Sequence, residues 1–274
     1  MTKQPNSKNN LDRLILRYAG TDARAVLLRT ELANVIVAQM IGDGVVKGGT
    51  GLKLRYGANA TRVTLDLDTA YRTDLDSFIR GLKSRLVQGW NGFTGEIWVR
   101  STATPKGIPF DYVMQPCDVK ISYLGTPWFT VELEIGHNEI GDADEYDEID
   151  VPEEIAGLVS FLALPPLGSI KVMKLEYQVA QKLHGATGIN SDRAHDLIDL
   201  QLILEHHVLD LKRVNELCQS LFAYRKCQLW PPQVMGNPKW EAVYNDQKGN
   251  LAVLSTVEEA IAWANDLIAK IVKA

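Results

Sequence analysis

Along the first forty residues, apolar and polar positions follow a helical period. Four apolar residues fall on one helical face, at the spacing i, i+4, i+7 and i+8: Leu28, Leu32, Val35 and Ile36. The break near Gly20 is followed by Thr21 and Asp22, and either side chain can cap a helix. The pattern predicts two helices between residues 11 and 41, preceded by a disordered polar tail at residues 1–10.

The pattern then changes to that of strands. Residues 45–47 are a short apolar strand, and residues 62–68 alternate strictly, so that one face of that strand carries Thr64, Asp66 and Asp68. The opposite face would bury Val63, Leu65 and Leu67. After a helix capped by Asp74, further strands are predicted at residues 95–100, 118–124 and 128–135.

Helical periodicity returns in the second half, at residues 169–183, 193–205 and 256–272, the last with a capping box of Ser255 and Glu258. Residues 139–154 lie between the halves with nine carboxylates and no Lys or Arg, and we interpret them as a solvated hinge. The order of elements predicts an α+β fold, a mixed sheet with flanking helices followed by a mainly α-helical domain. We expect the domains to be residues 1–150 and 151–274.

Composition narrows the class of protein. The formal charge of −5 becomes +4 when the nine carboxylates of the acidic run are removed, so a polyanionic substrate is compatible with the rest of the chain. No apolar run approaches the roughly 20 residues that span a bilayer. The cysteines are few and scattered, and the N-terminus is polar. We therefore expect a cytoplasmic protein that has no membrane partner.

Asp66 and Asp68 are the first candidates for chemistry. Side chains two apart on a strand point to the same side, where two carboxylates can share hard divalent ions of the kind used in phosphoryl transfer. A third carboxylate is expected from the strand at residues 128–135, which offers Glu132 and Glu134 on one face. Glu134 is preferred because it lies nearer the strand end, although both remain open.

Gly48, Gly49 and Thr50 follow the first short strand. Consecutive glycines let a backbone approach a ligand closely, and N–H groups at such a turn bind phosphate oxygens. Thr50 adds a hydroxyl donor. The chain has no G-x-x-x-x-G-K-[ST] run and no glycines at the dinucleotide spacing, which disfavours a P-loop NTPase and a Rossmann dehydrogenase.

The helical half contributes Lys182, Asp196 and Asp199. The two aspartates are three apart and share one face of a helix that also carries leucines and an isoleucine. Aspartates on a packed helix need partners, for which Lys182 and Arg193 are candidates. Lys182 can equally bind a triphosphate as a point charge.

These segments together resemble the AbiEii/AbiGii toxin family of nucleotidyltransferases. The Lys-Gly-Gly-Thr-Ala-Leu motif of that family is matched by residues 47–52, with Gly51 where alanine is usual. Its Arg-x-Ser-x-Asp-x-Asp motif is matched by Arg62, Thr64, Asp66 and Asp68.

Two later elements extend the likeness. The family's Ala-x-Lys-Leu is matched by Ala180, Lys182 and Leu183. Its Arg-Asp-x-x-Asp-Leu is matched by Asp196, Asp199 and Leu200, with His195 where an arginine is common. Arg193 is close enough along the chain to substitute for that arginine.

The resemblance implies a polymerase-β-type minimal nucleotidyltransferase whose helical domain completes the active site. Its reaction would be transfer of a nucleoside monophosphate from an NTP to an acceptor hydroxyl with Mg²⁺. RNA, above all the 3′ end of tRNA, would be the acceptor, and a cognate antitoxin would be a partner. The implied nucleotide-binding residues are Gly48, Gly49, Thr50 and Lys182, the metal ligands Asp66, Asp68 and Glu134, and the catalytic residues Asp66, Asp68, Lys182 and Asp196.

Two other functions stay open at this point. A nucleotidyltransferase that acts on a small molecule, such as an antibiotic hydroxyl, would use the same metal site. A catalytically silent module of the same fold would bind RNA or protein, although the intact Asp66 and Asp68 argue against it.

Overall fold

The computed structural model describes residues 3–102 and 113–274. By their contacts, the described residues form two compact units. The sheet unit comprises Met1–Gly57, Thr64–Asn138 and Tyr146–Val172, and the helical unit comprises Ala58–Val63, Glu139–Glu145 and Met173–Ala274. The contacts thus divide the chain near residue 172 and assign two short earlier segments to the helical unit, whereas the sequence suggested a single boundary near residue 150. Domains at residues 1–150 and 151–274 stay a prediction.

Seven strands in the described part of the chain form one sheet, in the order β3-β4-β5-β2-β1-β7-β6. Their bounds are β1 Gly44–Val46, β2 Leu67–Tyr71, β3 Phe93–Val99, β4 Gln115–Tyr123, β5 Thr126–Gly136, β6 Tyr146–Ile149 and β7 Ile170–Met173. The pairs β1–β7 and β2–β5 are parallel, while β1–β2, β3–β4 and β4–β5 are antiparallel. This mixed sheet, with its flanking helices and the mainly helical remainder, confirms the predicted α+β class.

The helices of the sheet unit are α1 Lys8–Ala19, α2 Asp22–Met40, α3 Gly48–Tyr56, α4 Leu75–Gln88 and α5 Glu153–Phe161. Thr21 caps α2 and Asp74 caps α4, which confirms both predicted helix starts. The disordered tail is wrong for residues 5–10, because Ser7 caps α1 and Pro5 accepts a hydrogen bond from the buried Tyr123 hydroxyl at 2.5 Å. Residues 1 and 2 lie outside the described residues.

The strand predicted at residues 62–68 is wrong over most of its length. Strand β2 begins only at Leu67, and Val63 and Leu65 are each 59% exposed. The carbonyl groups that a strand would pair are taken instead by side chains. Lys53 donates to the carbonyl of residue 64, Asn34 to that of residue 65 and Thr50 to that of residue 66.

The helical unit contains α6 Leu175–Ala186, α7 His195–His206, α8 Leu211–Arg225, α9 Trp240–Lys248 and α10 Val257–Lys273. The helix predicted at residues 169–183 is wrong in its first part, because β-branched residues there form β7 in parallel with β1. The capping box of α10 also lies one residue later than predicted, with Thr256 and Glu259. Across the described residues, none of the helices combines the length and apolar character that crossing a bilayer requires.

The acidic run, predicted to be a solvated hinge, is solvated only in part. Its exposed carboxylates are Asp144, Glu145, Glu148, Asp150 and Glu153. Glu139 accepts two hydrogen bonds from Arg225 at 2.6 and 2.9 Å, and its side chain is only 6% exposed. Asp142 is fully buried and accepts from Gln181 at 2.6 Å. The run owes its order to partners supplied by distant parts of the sequence, which the run itself cannot reveal.

Candidate active site

Asp68 and Glu134 lie side by side on neighbouring parallel strands. The register of β2 and β5 pairs Asp68 with Glu134, so both side chains leave the same face of the sheet. Asp66 precedes β2 by one residue and, like Asp68, is half-buried, whereas Leu67 and Thr69 between and after them are fully buried. Glu132 is exposed and lies before the part of β5 that pairs with β2, which begins at Leu133, so Glu134 is the carboxylate next to Asp68.

Helix α3 begins directly beside Asp68. Gly48 has a φ of +64°, and a Cβ built on it would lie 2.0 Å from Asp68 Oδ2. Only glycine fits this position, because the carboxylate occupies the space that any side chain would need. The N-terminus of α3, where unpaired N–H groups carry partial positive charge, is therefore held close to Asp68.

Two threonines hold Asp66. Thr50 is buried and donates its hydroxyl to the Asp66 carbonyl at 2.6 Å. Thr64 donates to Asp66 Oδ1 at 2.5 Å. The Thr50 hydroxyl, expected to face a phosphate, thus ties the start of α3 to the carboxylate segment.

The donor set suits a hard divalent cation. Asp66, Asp68 and Glu134 offer carboxylate oxygens, which Mg²⁺ prefers, and the space that a Cβ would fill at Gly48 holds the Asp68 carboxylate. Within residues 3–102 and 113–274, no group of three or more His, Cys, Asp or Glu side chains is already arranged around an ion position.

In the helical unit, five side chains form a line of alternating charges. Lys182 on α6 donates to Asp199 Oδ2 at 2.5 Å and to Asp196 Oδ1 at 3.2 Å, both on α7. Arg62 Nε donates to the two Asp199 oxygens at 3.1 and 3.2 Å. Arg193 donates to Asp196 at 2.5 and 3.2 Å. We call this set, Arg62–Asp199–Lys182–Asp196–Arg193, the charge chain.

The interior of the charge chain is shielded from water. The side chains of Lys182, Asp196 and Asp199 are 5%, 0% and 1% exposed, whereas that of Arg193 is 53% exposed. Burial alone would raise the pKa of Asp196, but Arg193 and Lys182 outweigh it and hold that pKa below its usual range. Burial lowers the pKa of His195, so its imidazole is neutral near pH 7. The five side chains of the charge chain, three cations and two carboxylates, therefore sum to one positive charge.

The sequence predicted part of this arrangement. Lys182 and Arg193 were candidate partners of the aspartates, and both are confirmed as such. His195, which replaces the usual arginine, has its Nε2 3.9 Å from Asp196 Oδ1, so Arg193 makes the closer contact. The pairing of Arg62 with Asp199 was missed, because 137 residues separate them and nothing local indicates it.

Comparisons with known proteins found one matching family model and several solved structures that are similar to this chain. A family model described as nucleotidyl transferase AbiEii toxin, type IV toxin–antitoxin system, matches residues 27–264. MenT4, a nucleotidyltransferase toxin from Mycobacterium tuberculosis H37Rv, is similar with a TM-score of 0.58 and 17% identity, over 96% of this chain and 90% of that one. JHP933 from Helicobacter pylori has a TM-score of 0.49 and 19% identity, over 92% and 93% of the two chains. None of the curated proteins matches this chain. The likeness to MenT4 shows a shared fold.

Proposed function

This chain belongs to the nucleotidyl transferase AbiEii toxin family of type IV toxin–antitoxin systems, and from that premise we propose that it transfers a nucleoside monophosphate from an NTP to an RNA hydroxyl, with the tRNA 3′ end as preferred acceptor. Membership makes the chain a nucleotidyltransferase and implies an antitoxin partner and an NTP substrate. The acceptor, the metal and the residue roles are the content of the proposal.

The observation that carries the proposal is the Asp68–Glu134 pair beside the start of α3. Two adjacent carboxylates and a helix N-terminus put a cation-binding group and an anion-binding group next to each other. A nucleoside triphosphate with its divalent ion needs that combination, because the ion and the phosphates arrive together.

We assign roles to these residues on that basis. Asp66, Asp68 and Glu134 would hold Mg²⁺, which when bound offsets negative charge on the phosphates. The N–H groups of Gly48, Gly49 and Thr50 would donate to phosphate oxygens. The acceptor hydroxyl attacks the α-phosphorus in line, a new O–P bond forms, and pyrophosphate and a proton leave.

Lys182 and Asp196 keep the roles that the resemblance implies, and the charge chain supports them. Its excess positive charge attracts phosphate groups, and Lys182 is the cation at its centre. Asp196 orients Lys182 through the 3.2 Å contact between them. Both are therefore proposed to act on substrate phosphates through a preformed electrostatic field.

RNA, with the tRNA 3′ end preferred, is the proposed acceptor because the resemblance of the sequence motifs to this family implies it. We also propose a cytoplasmic location, where RNA and NTPs are found. The free thiols of Cys117, Cys218 and Cys227 are compatible with it.

The proposal is tested by labelling. Purified protein is incubated with Mg²⁺, each α-labelled NTP in turn, and either total RNA or isolated tRNA. We expect one or more NTPs to label tRNA, and Asp68→Asn to reduce labelling by at least about 100-fold, since a metal ion supplies several kcal/mol of charge stabilisation. Asp76→Asn, an exposed position on α4, is the matched control.

Two results would contradict the proposal. Full labelling by Asp68→Asn would exclude the assigned metal site. Wild-type protein that labels no RNA with any NTP would exclude RNA as the acceptor, and a small-molecule hydroxyl would then be tested with the same NTPs.

A further inference from the structure

The segment that carries Asp66 is held by two helices of the sheet unit. Residues 64–66 precede β2, and three side chains donate to their three consecutive backbone carbonyls. The donors are Asn34 on α2 at 3.2 Å, and Thr50 and Lys53 on α3 at 2.6 and 3.0 Å. Thr50 and Lys53 are three residues apart and therefore share one face of α3. The position of this segment thus depends on side chains of α2 and α3.

Lys53 is the charged member of this set of donors. Its side chain is 11% exposed, and its Nζ lies 3.5 Å from Oε1 of Glu31 on α2, whose side chain is 10% exposed. Burial holds the pKa of Glu31 above its usual value, although the charge of Lys53 opposes that rise. An apolar pair of similar volume often stabilises a fold as well as a buried ion pair does. Stability alone therefore does not account for these two charges.

Thr64 connects Lys53 to the Asp66 carboxylate. Its carbonyl accepts from Lys53 Nζ at 3.0 Å, and its own hydroxyl, in a side chain that is buried, donates to Asp66 Oδ1 at 2.5 Å. One residue thus receives a hydrogen bond from α3 and passes the constraint on to the carboxylate. These contacts fix the orientation of Asp66 relative to α3.

We propose that Lys53 is a positioning residue for Asp66. From α3 it fixes the Thr64 carbonyl, Thr64 orients the Asp66 carboxylate for a divalent cation, and Glu31 keeps the Lys53 ammonium in place. This rests on the proposed function, in which Asp66 is one of the ligands of that cation. Removing a group that orients a metal ligand typically costs about 10–100-fold in metal affinity.

The test measures Mn²⁺ binding to the nucleotide-free protein by electron paramagnetic resonance. Thr64→Val replaces the hydroxyl by a methyl group, and we expect Mn²⁺ to bind at least about tenfold more weakly. Lys53→Met removes the donor and its charge, and should weaken Mn²⁺ binding by at least about threefold, because it acts one contact further from the carboxylate. Lys83→Met, exposed on α4, is the matched control and should leave the affinity unchanged.

Urea unfolding of the same variants separates positioning from stability. A Lys53 that serves stability alone would lower the unfolding midpoint in Lys53→Met and leave the Mn²⁺ affinity of the folded protein unchanged, which would overturn the proposal. Should Lys53→Met fail to fold, Lys53→Gln takes its place, with a side chain shorter by one atom and uncharged. An unchanged Mn²⁺ affinity in that variant would overturn the proposal in the same way.

The double variant of Lys53→Met with Thr64→Val tests the path through Thr64. If Lys53 acts on Asp66 through Thr64, the double variant binds Mn²⁺ about as weakly as Thr64→Val alone. Losses of Mn²⁺ affinity that multiply independently would overturn this path.

The titration also distinguishes this inference from the proposed function. Wild-type protein that binds no Mn²⁺, or whose Mn²⁺ binding is unaffected by Asp66→Asn, would contradict the metal site proposed for Asp66 and the role of Lys53 together. Mn²⁺ binding that depends on Asp66 but is unchanged in both Lys53→Met and Thr64→Val would contradict only the role of Lys53.

Discussion

Removing the charge of Lys182 is expected to destabilise the fold as well as the reaction. In Lys182→Met, the fully buried carboxylates of Asp196 and Asp199 lose the cation between them. Each keeps one arginine, but that of Asp196 is Arg193, whose side chain is half exposed to water. The central contacts at 2.5 and 3.2 Å are thus the ones that solvent screens least.

The magnitude follows from the burial of the partners. Breaking a buried ion pair by removing one partner costs about 3–5 kcal/mol, because the other charge remains in a poorly solvating interior. Since each aspartate retains an arginine, we expect the lower end, about 3 kcal/mol. Against a total stability of about 5–15 kcal/mol, such a loss is large.

Urea unfolding followed by circular dichroism measures the effect. The unfolding midpoint of Lys182→Met should fall by about 1 M or more, given slopes of about 1–3 kcal/mol per molar urea. Lys270→Met, exposed on α10, is the control and should stay within about 0.5 kcal/mol of wild type. A double variant with Asp199→Asn should cost less than the sum of the single changes, by about 1–3 kcal/mol.

Two results would contradict this expectation. One is a free energy of unfolding for Lys182→Met within about 1 kcal/mol of wild type, and the other is additivity of the losses from Lys182→Met and Asp199→Asn. Transfer is assayed in parallel, below the unfolding transition. A variant that is folded yet inactive would then show the role of Lys182 on substrate phosphates, separately from its role in stability.

Further predictions concern His184 and the start of α10. Burial, and next the charge of Arg225, lowers the pKa of His184 from 6.5 to about 3. Between these pH values the unfolded chain binds more protons than the folded one, so stability is lost as pH falls below about 6.5. His184→Gln should flatten that slope by up to about 1.4 kcal/mol per pH unit in urea titrations, whereas the exposed His207→Gln should not. Thr256→Ala should cost about 1 kcal/mol by removing the capping box, while Ser255→Ala should cost nothing measurable, and the reverse order would contradict the observed cap.

How much of the fold could be predicted depends on where the partners of each segment lie. The starts of α2 and α4 were predictable because Thr21 and Asp74 cap with their own side chains, within three residues. The capping box of α10 was misplaced by one residue, since Ser255 and Thr256 are chemically equivalent caps and each has a glutamate three residues later.

Errors arose where distant groups decide the conformation. Apolar and polar residues alternate at residues 62–68 as they do in a strand. The side chains of Asn34, Thr50 and Lys53 nevertheless donate hydrogen bonds to the carbonyl groups that a neighbouring strand would pair. Residues 170–173 form a strand because β1, more than 120 residues earlier, offers a parallel partner. No local pattern contains that information.

The candidate site shows the same division. Glycines and aspartates at fixed spacing indicated which segments would form the site. Glycine lets the backbone approach a ligand closely, and aspartate supplies the oxygen atoms that hard cations bind. The sequence did not predict how these residues are arranged in space. The pairing of Asp68 with Glu134 depends on a parallel register between β2 and β5, and the charge chain depends on Arg62 reaching Asp199.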